Sequence, residues 1–123
     1  MLTIDDLTVR YRTLGGEIEA LTSVSLFAEK GSTLGLVGES GSGKSTIALA
    51  AMGLLPVEAK VTSGRILIER DDILAMTPAA RRRLRGTRVS LVFQDPFSFL
   101  NPSLRIGEQV GEGLVHHRGF TTA

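Results

Sequence analysis

The chain has 123 residues, no cysteine, no tryptophan and a single tyrosine. Without cysteine it cannot form a disulfide or use a thiolate as a nucleophile or metal ligand, which is typical of a reducing compartment. The formal net charge is only +1, too small to indicate nucleic acid or an anionic surface as a partner. We therefore expect no nucleic-acid partner.

Long apolar runs are also missing. The longest, Ile47 to Leu55, has about half of the roughly 18 residues needed to cross a bilayer, and Gly53 interrupts it. The first residues, Met1 to Asp6, lack the basic lead and apolar core of a signal peptide. The composition, with 42% hydrophobic and 22% charged residues, is that of a globular domain. These features predict a cytoplasmic chain, and any role at a membrane would be peripheral.

Hydrophobic periodicity predicts strands in the first third of the chain. Apolar residues alternate from Leu2 to Val9, with a break at Asp5-Asp6 that indicates a bulge or turn. After a turn at Gly15-Gly16, residues 18–28 alternate weakly and predict a second strand. The short apolar run 34–37 predicts a strand that is buried on both faces.

The rest of the chain mixes helices and strands, which predicts an α/β fold. Residues 45–55 are rich in alanine and predict a helix that Pro56 ends. Thr77 and Pro78 predict the N-cap and first position of another helix. The remaining predicted features are a turn at Ser63-Gly64 before a strand at Ile66 and Ile68, a helix cap at Gly86, a strand at 89–93, and a helix with Ile106, Val110 and Leu114 on one face.

One motif carries a specific chemistry. Residues 38–45, Gly-Glu-Ser-Gly-Ser-Gly-Lys-Ser, match the phosphate-loop pattern G-x-x-x-x-G-K-[ST]. In such a loop, backbone N–H groups and the N-terminus of the following helix converge on phosphate oxygens. Lys44 would contact the β- and γ-phosphates, Ser45 would offer its hydroxyl to Mg²⁺, and Thr46 would add a donor. The predicted ATP-binding residues of the loop are Gly38, Glu39, Ser40, Gly41, Ser42, Gly43, Lys44, Ser45 and Thr46.

The loop has two other interpretations. A flexible glycine-serine linker could contain the motif by chance, but an apolar segment precedes it and a helix former follows it. A dinucleotide-binding motif would need a third glycine where Thr46 stands. The sequence therefore favours a nucleoside triphosphate.

The chain resembles the ATP-binding subunits of ABC transporters. The loop extends to Thr46 in the form common in that family, and Val92-Phe93-Gln94-Asp95-Pro96 looks like its Q-loop. The segments Val9-Arg10-Tyr11, Gln94 to Pro102 and Ile106 to Val110 are similar to the importers of oligopeptides, dipeptides and nickel. The resemblance implies a P-loop NTPase of the ABC type with an N-terminal antiparallel β subdomain, a Walker A strand–loop–helix and the start of a helical subdomain.

The same resemblance implies roles for residues outside the loop. Tyr11 would stack on adenine, and Gln94 would contact Mg²⁺ and the attacking water, which makes Lys44 and Gln94 the expected catalytic residues and Ser45 and Gln94 the expected metal contacts. The expected division is 1–94 for the N-terminal part of the nucleotide-binding domain and 95–123 for the Q-loop and the beginning of the helical subdomain. The expected partners are transmembrane permease subunits and a second, identical or different, ATP-binding subunit on the inner face of the cell membrane.

The sequence also departs from the family. Arg70 replaces a turn glycine and Arg105 replaces a threonine, which is a better N-cap. The signature Leu-Ser-Gly-Gly-Gln, the Walker B acid, the glutamate after it and the switch histidine do not occur in these 123 residues. We interpret the chain as a fragment, a truncated gene product or a deliberately shortened form, and we expect it to bind ATP without hydrolysing it. The alternatives are a non-hydrolytic nucleotide-binding module or remnant, and a soluble P-loop NTPase that uses no permease.

Overall fold

The computed structural model describes residues 1–119. The chain divides into two compact units, Met1–Arg81 and a second unit that begins at Arg82. The first unit contains strands β1 (Leu2–Thr13), β2 (Gly16–Ala28), β3 (Ala59–Ile68) and β4 (Asp71–Asp72) and helix α1 (Lys44–Ala51). Helix α2 (Pro78–Leu84) contains the boundary, and the second unit holds a 3₁₀ turn (Pro96–Phe99) and helix α3 (Ile106–Arg118). The predicted division at residue 94, which rests on motifs, stays a prediction.

The strands of the first unit form one antiparallel sheet in the order β2-β1-β3-β4. The predicted break at the acidic pair is confirmed as a bulge, because Asp6 has a φ of 51° and the register shifts between Ile4 and Leu7. The inward-facing apolar side chains close a core. Its most buried members are Ile4, Leu7, Val9, Ile66 and Ile73. The antiparallel β subdomain expected from the resemblance is therefore present.

The predicted turn at Ser63-Gly64 is wrong, because β3 continues through both residues. Gly64 has a φ of 87°, and a Cβ there would lie 2.5 Å from the carbonyl oxygen of Asp6. Gly64 is thus the partner of the bulge on β1, where the two backbones approach each other closely. The glycine marks this crossing of the sheet and does not reverse the chain.

Helix α1 ends at Ala51, four residues before the predicted end at Leu55. Gly53 adopts the left-handed conformation with a φ of 61°. The N–H of Gly53 bonds to the carbonyl of Ala50 at 3.0 Å, and that of Leu54 bonds to Leu49 at 2.9 Å. This double pattern is a Schellman motif, which satisfies the last carbonyls of a helix. Gly53 therefore stops the helix before Pro56 is reached.

Two predicted strands are not strands in the structure. Within residues 1–119, the segment 34–37 pairs with no other segment, and Val37 is 100% exposed instead of buried. In the segment 89–93, only Val89 forms an isolated parallel bridge, to Arg85. A strand needs a continuous neighbour for its N–H and C=O groups, and the described part of the chain supplies no such partner to either segment.

The predicted N-cap at Thr77 is confirmed, and the structure shows how the two arginine substitutions are accommodated. The hydroxyl of Thr77 accepts a hydrogen bond from the N–H of Ala80 at 3.3 Å, as an N-cap does. The hairpin between β3 and β4 forms although Arg70 replaces the usual glycine, because Glu69 takes the positive φ, at 59°. Arg105 occupies the N-cap position of α3, and its side chain makes no capping hydrogen bond. This agrees with the expectation that threonine would be a better N-cap.

Candidate functional site

The loop of residues 38–43 leads directly into α1. Gly41 and Gly43 have φ values of 81° and 89°, which favour glycine. Gly43 is also packed against strand β2, because a Cβ there would lie 2.6 Å from Leu21 Cδ2 and 2.8 Å from the carbonyl oxygen of Ala20. The end of the loop is therefore fixed both by its own backbone and by contact with the sheet.

The loop curls around the ammonium group of Lys44. Lys44 Nζ donates hydrogen bonds to the carbonyl oxygens of Gly38, at 2.7 Å, and Glu39, at 2.6 Å. A third bond goes to the hydroxyl of Ser42, at 3.1 Å. A Cβ on Gly38 would lie 2.8 Å from Ser42 Oγ, so the loop closes tightly at its first residue. One cation is thus held at the centre of a ring of backbone.

The start of α1 supplies the other donors of a phosphate site. Gly43 is the N-cap, and no side chain of the described chain caps the helix. The first-turn N–H groups and the positive end of the helix dipole are therefore available to an anion. Ser45 and Thr46 add hydroxyl groups in the same turn. This donor set fits a chain of phosphates with a hydroxyl ligand for Mg²⁺.

Tyr11 lies beside this turn. It is near the end of β1, paired with Ile18 of β2 and Ala59 of β3. Its hydroxyl is 3.5 Å from Thr46 Oγ1, at the outer limit of a hydrogen bond. The structure therefore brings the one tyrosine of the chain next to the loop, while its stacking on adenine stays a prediction.

Gln94 belongs to the second unit and is exposed. Phe93, directly before it, stacks on Phe99 with ring centroids 3.9 Å apart. Asp95, directly after it, accepts a hydrogen bond from the hydroxyl of Ser98, and this bond holds the pKa of Asp95 below its usual range. Gln94 thus lies in a turn closed on both sides by local contacts, and its role at Mg²⁺ stays a prediction.

Sequence reasoning missed the residue that anchors this segment. Gln109 of α3 makes three hydrogen bonds to the backbone of Asn101 and Leu104. Spacing gives no signal for such a contact. The local sequence signal for this segment is the turn preference of asparagine at Asn101. Its side-chain oxygen accepts a hydrogen bond from the N–H of Ser103 at 2.9 Å.

Of the adjacent histidines His116 and His117 in α3, His117 packs against a glycine of the same unit. The His117 ring lies over Gly86, where a Cβ would be 2.8 Å from Nε2. Within residues 1–119, no group of three His, Cys, Asp or Glu side chains could hold a metal ion. In the same residues, no helix is long and apolar enough to cross a membrane.

Known proteins share both the sequence and the fold. The ABC transporter family profile matches residues 21–121. The dipeptide transport ATP-binding protein DppD of Bacillus subtilis is 44% identical over 119 residues, which cover 96% of this chain and 36% of DppD. The oligopeptide transport ATP-binding protein OppD of Salmonella typhimurium is 39% identical over 123 residues, 100% of this chain and 36% of OppD.

Solved structures agree. A dimeric structure of MJ0796, a bacterial ABC transporter cassette, matches with a TM-score of 0.83 and 27% identity, covering 100% of this chain and 50% of that one. A structure of the same cassette in a post-hydrolysis state, bound to ADP and Pi, matches with a TM-score of 0.82 and 25% identity. The chain spans about a third of the length of these curated relatives, since the match covers 36% of DppD and 36% of OppD. It belongs to the ABC transporter family and is homologous to the ATP-binding subunits of peptide importers.

Proposed function

We propose that this chain is the ATP-binding portion of an ABC ATPase that powers the import of peptides or a similar solute. The observation that carries the proposal is the Lys44 ammonium, held by three acceptors inside a glycine loop at the start of an uncapped helix. Members of this family are ATPases that bind ATP. The proposal is supported by the uncapped N–H groups at the start of α1, which are positioned before a phosphate arrives.

Each residue of the site has a proposed role. The backbone and side chains of residues 38–46 hold the phosphates, and Lys44 contacts the β- and γ-phosphates. Ser45 and Gln94 would hold Mg²⁺, which supplies positive charge to the phosphates when bound. Gln94 also orients the attacking water, and Tyr11 presents its ring to adenine. Lys44 and Gln94 are the catalytic residues of this assignment.

The partners are proposed from the relatives. The curated relatives are named as transport ATP-binding proteins, and the MJ0796 cassette is dimeric. We infer that this chain works with transmembrane permease subunits and with a second ATP-binding subunit. Its place is then the cytoplasmic face of the cell membrane, where it associates peripherally.

The decisive experiment is isothermal titration of Mg-ATP into the chain and two lysine variants. Lys44→Ala should weaken binding roughly ten- to hundredfold, because it removes a charge-assisted contact worth about 1.5–3 kcal/mol. Lys30→Ala, which removes an exposed lysine outside the loop, should leave the affinity unchanged. Equal affinity of the wild type and Lys44→Ala would refute the assignment of the loop.

We also propose that this chain by itself binds ATP without turnover. The 123 residues contain no Walker B acid, no following glutamate and no signature motif, so the water and the transferring phosphoryl lack their usual partners. A malachite-green assay should find no phosphate release above the Lys44→Ala background. Release that depends on Lys44 at about 1 s⁻¹ or faster would show that other acids of the chain can serve.

A further inference from the structure

The side chain of Gln109 links the segment that follows Gln94 to the start of helix α3. Gln109 Oε1 accepts the N–H of Asn101 at 2.8 Å. Its Nε2 donates to the carbonyl oxygens of Asn101, at 3.0 Å, and Leu104, at 3.1 Å. One carboxamide therefore uses its acceptor and both donor positions on the same turn of backbone.

The burial pattern shows that this side chain is turned inward. Residues 101–108 are all exposed, whereas Gln109 is half-buried. The turn that it holds is closed internally as well, because the N–H of Leu104 bonds to the carbonyl of Asn101 at 3.1 Å. Gln109 thus joins a preformed turn to the first part of α3.

The anchored turn is connected to Gln94 by a short and continuous path. Asn101 is two residues after Phe99, and Phe99 stacks on Phe93, the residue before Gln94. The bond between Asp95 and Ser98 closes the loop between the two rings. Asn101 is therefore linked, through Phe99 and Ser98, to both residues that flank Gln94.

We propose that Gln109 is a positioning residue for Gln94, and that its three hydrogen bonds make α3 and the segment 93–104 move as one body. This inference rests on the proposed role of Gln94 at Mg²⁺. Its specific consequence is that the loss of Gln109 should act on nucleotide binding only through Gln94. It predicts non-additivity between the two residues.

The test is a double-variant cycle on this chain, using the ratio of ATP dissociation constants measured without and with Mg²⁺. Gln94→Ala should reduce that ratio roughly tenfold, the effect of losing a polar contact to a charged group. Gln109→Ala should cause most of the same loss, and the double variant should lose no more than Gln94→Ala alone. Glu112→Ala, an exposed change on the same helix, should behave as the wild type.

Amide hydrogen exchange at Asn101, followed by NMR, gives an independent readout. Exchange should be slow in the wild type, fastest in Gln109→Ala and intermediate in Gln109→Glu, which keeps the acceptor but loses both donors. If Gln109→Ala speeds exchange and leaves the Mg²⁺ ratio unchanged while Gln94→Ala lowers it, the positioning role is wrong. If Gln94→Ala itself leaves the ratio unchanged, the assignment of Gln94 fails, and the inference fails with it.

Discussion

The two units of the chain are ordered by different means. In the first unit, apolar side chains from the sheet and α1 close a core in which Ile4, Leu7 and Ile66 are almost completely buried. In the second unit, α3 has no buried residue among those described, and Ile106, Val110 and Leu114 are 67%, 75% and 54% exposed. Polar contacts such as those of Gln109 and Asp95, together with the stack of Phe93 on Phe99, define the local structure between Gln94 and α3.

This difference distinguishes the phosphate loop from the segment that contains Gln94. The phosphate loop is attached at Gly43 to a sheet whose apolar residues already have partners, and the hydrogen bonds of Lys44 close the rest of the loop. Gln94 lies in a segment that is closed by one aromatic stack and a few hydrogen bonds. We therefore expect the phosphate contacts to tolerate changes in the second unit, and the position of Gln94 to depend on a few polar side chains.

The largest difference between the two units is expected when one apolar residue in each is replaced by alanine. Ile66→Ala should destabilise the chain by about 2–5 kcal/mol, because it empties a site with 0% exposure. Val110→Ala should change the stability by less than about 0.5 kcal/mol, because Val110 is exposed to solvent. Urea unfolding followed by circular dichroism measures both. Comparable losses in the two variants would contradict the contrast between the units.

A second test concerns how the sheet fixes the loop. Gly41→Ala should cost about 1–2 kcal/mol, the strain of a side chain at positive φ, since nothing lies within 4 Å of its Cβ position. Gly43→Ala should cost about 1–3 kcal/mol more, because its Cβ would meet Leu21 and the Ala20 carbonyl. Parallel urea titrations give the difference. If the two variants are equally stable, the loop is not held by β2.

A third test addresses Tyr11. Tyr11→Ala should weaken ATP binding by about 1–3 kcal/mol, the usual contribution of stacking one base on an aromatic ring. Tyr11→Phe should nearly preserve the affinity, since its hydroxyl makes only a 3.5 Å contact with Thr46. Titration calorimetry separates the two. A Phe variant as weak as the Ala variant would mean that the hydroxyl, and not the ring, is the functional group.

The smallest effect is expected in the second unit. Ser98→Ala should raise the pKa of Asp95 toward the usual value of about 3.9, because the hydroxyl of Ser98 stabilises the carboxylate. Because the pKa of Asp95 is lowered in the folded chain, its carboxylate stabilises the fold fully at pH values above the usual pKa. This stabilisation is lost as the pH falls through the lowered pKa. NMR titration of the Asp95 carboxyl measures the shift. Ser103→Ala serves as the control and should leave it unchanged.

The sequence predicted best what depends on neighbouring residues. The acidic break at Asp5-Asp6, the Thr77 cap and the loop that leads into α1 are each specified by a few consecutive residues, and all three are found in the structure. Helix α1 was predicted too long because two stop signals lie close together. Gly53 precedes Pro56 and satisfies the helix end first.

The other failures involve contacts between residues that are not neighbours in the chain. Whether 34–37 is a strand depends on a partner strand, and an apolar run carries no information about one. Gly64 resembled a turn residue because its reason for being glycine is the Asp6 carbonyl on another strand. The bonds of Gln109 to Asn101 cross a loop and follow no helical or strand period, so spacing could not predict them.

The three hydrogen bonds of Lys44 have a further consequence for the entropy of binding. Fixing a lysine side chain costs up to about 2 kcal/mol of rotamer freedom, and here that loss occurs when the loop folds. A phosphate then replaces the loop oxygens as the acceptor of an ammonium that is already immobile. Less conformational entropy is therefore lost on association. In Lys44→Ala the loop loses its internal tether and gains freedom before the ligand arrives. Calorimetry should therefore register part of the weakened affinity as a less favourable entropy, and not only as a smaller heat.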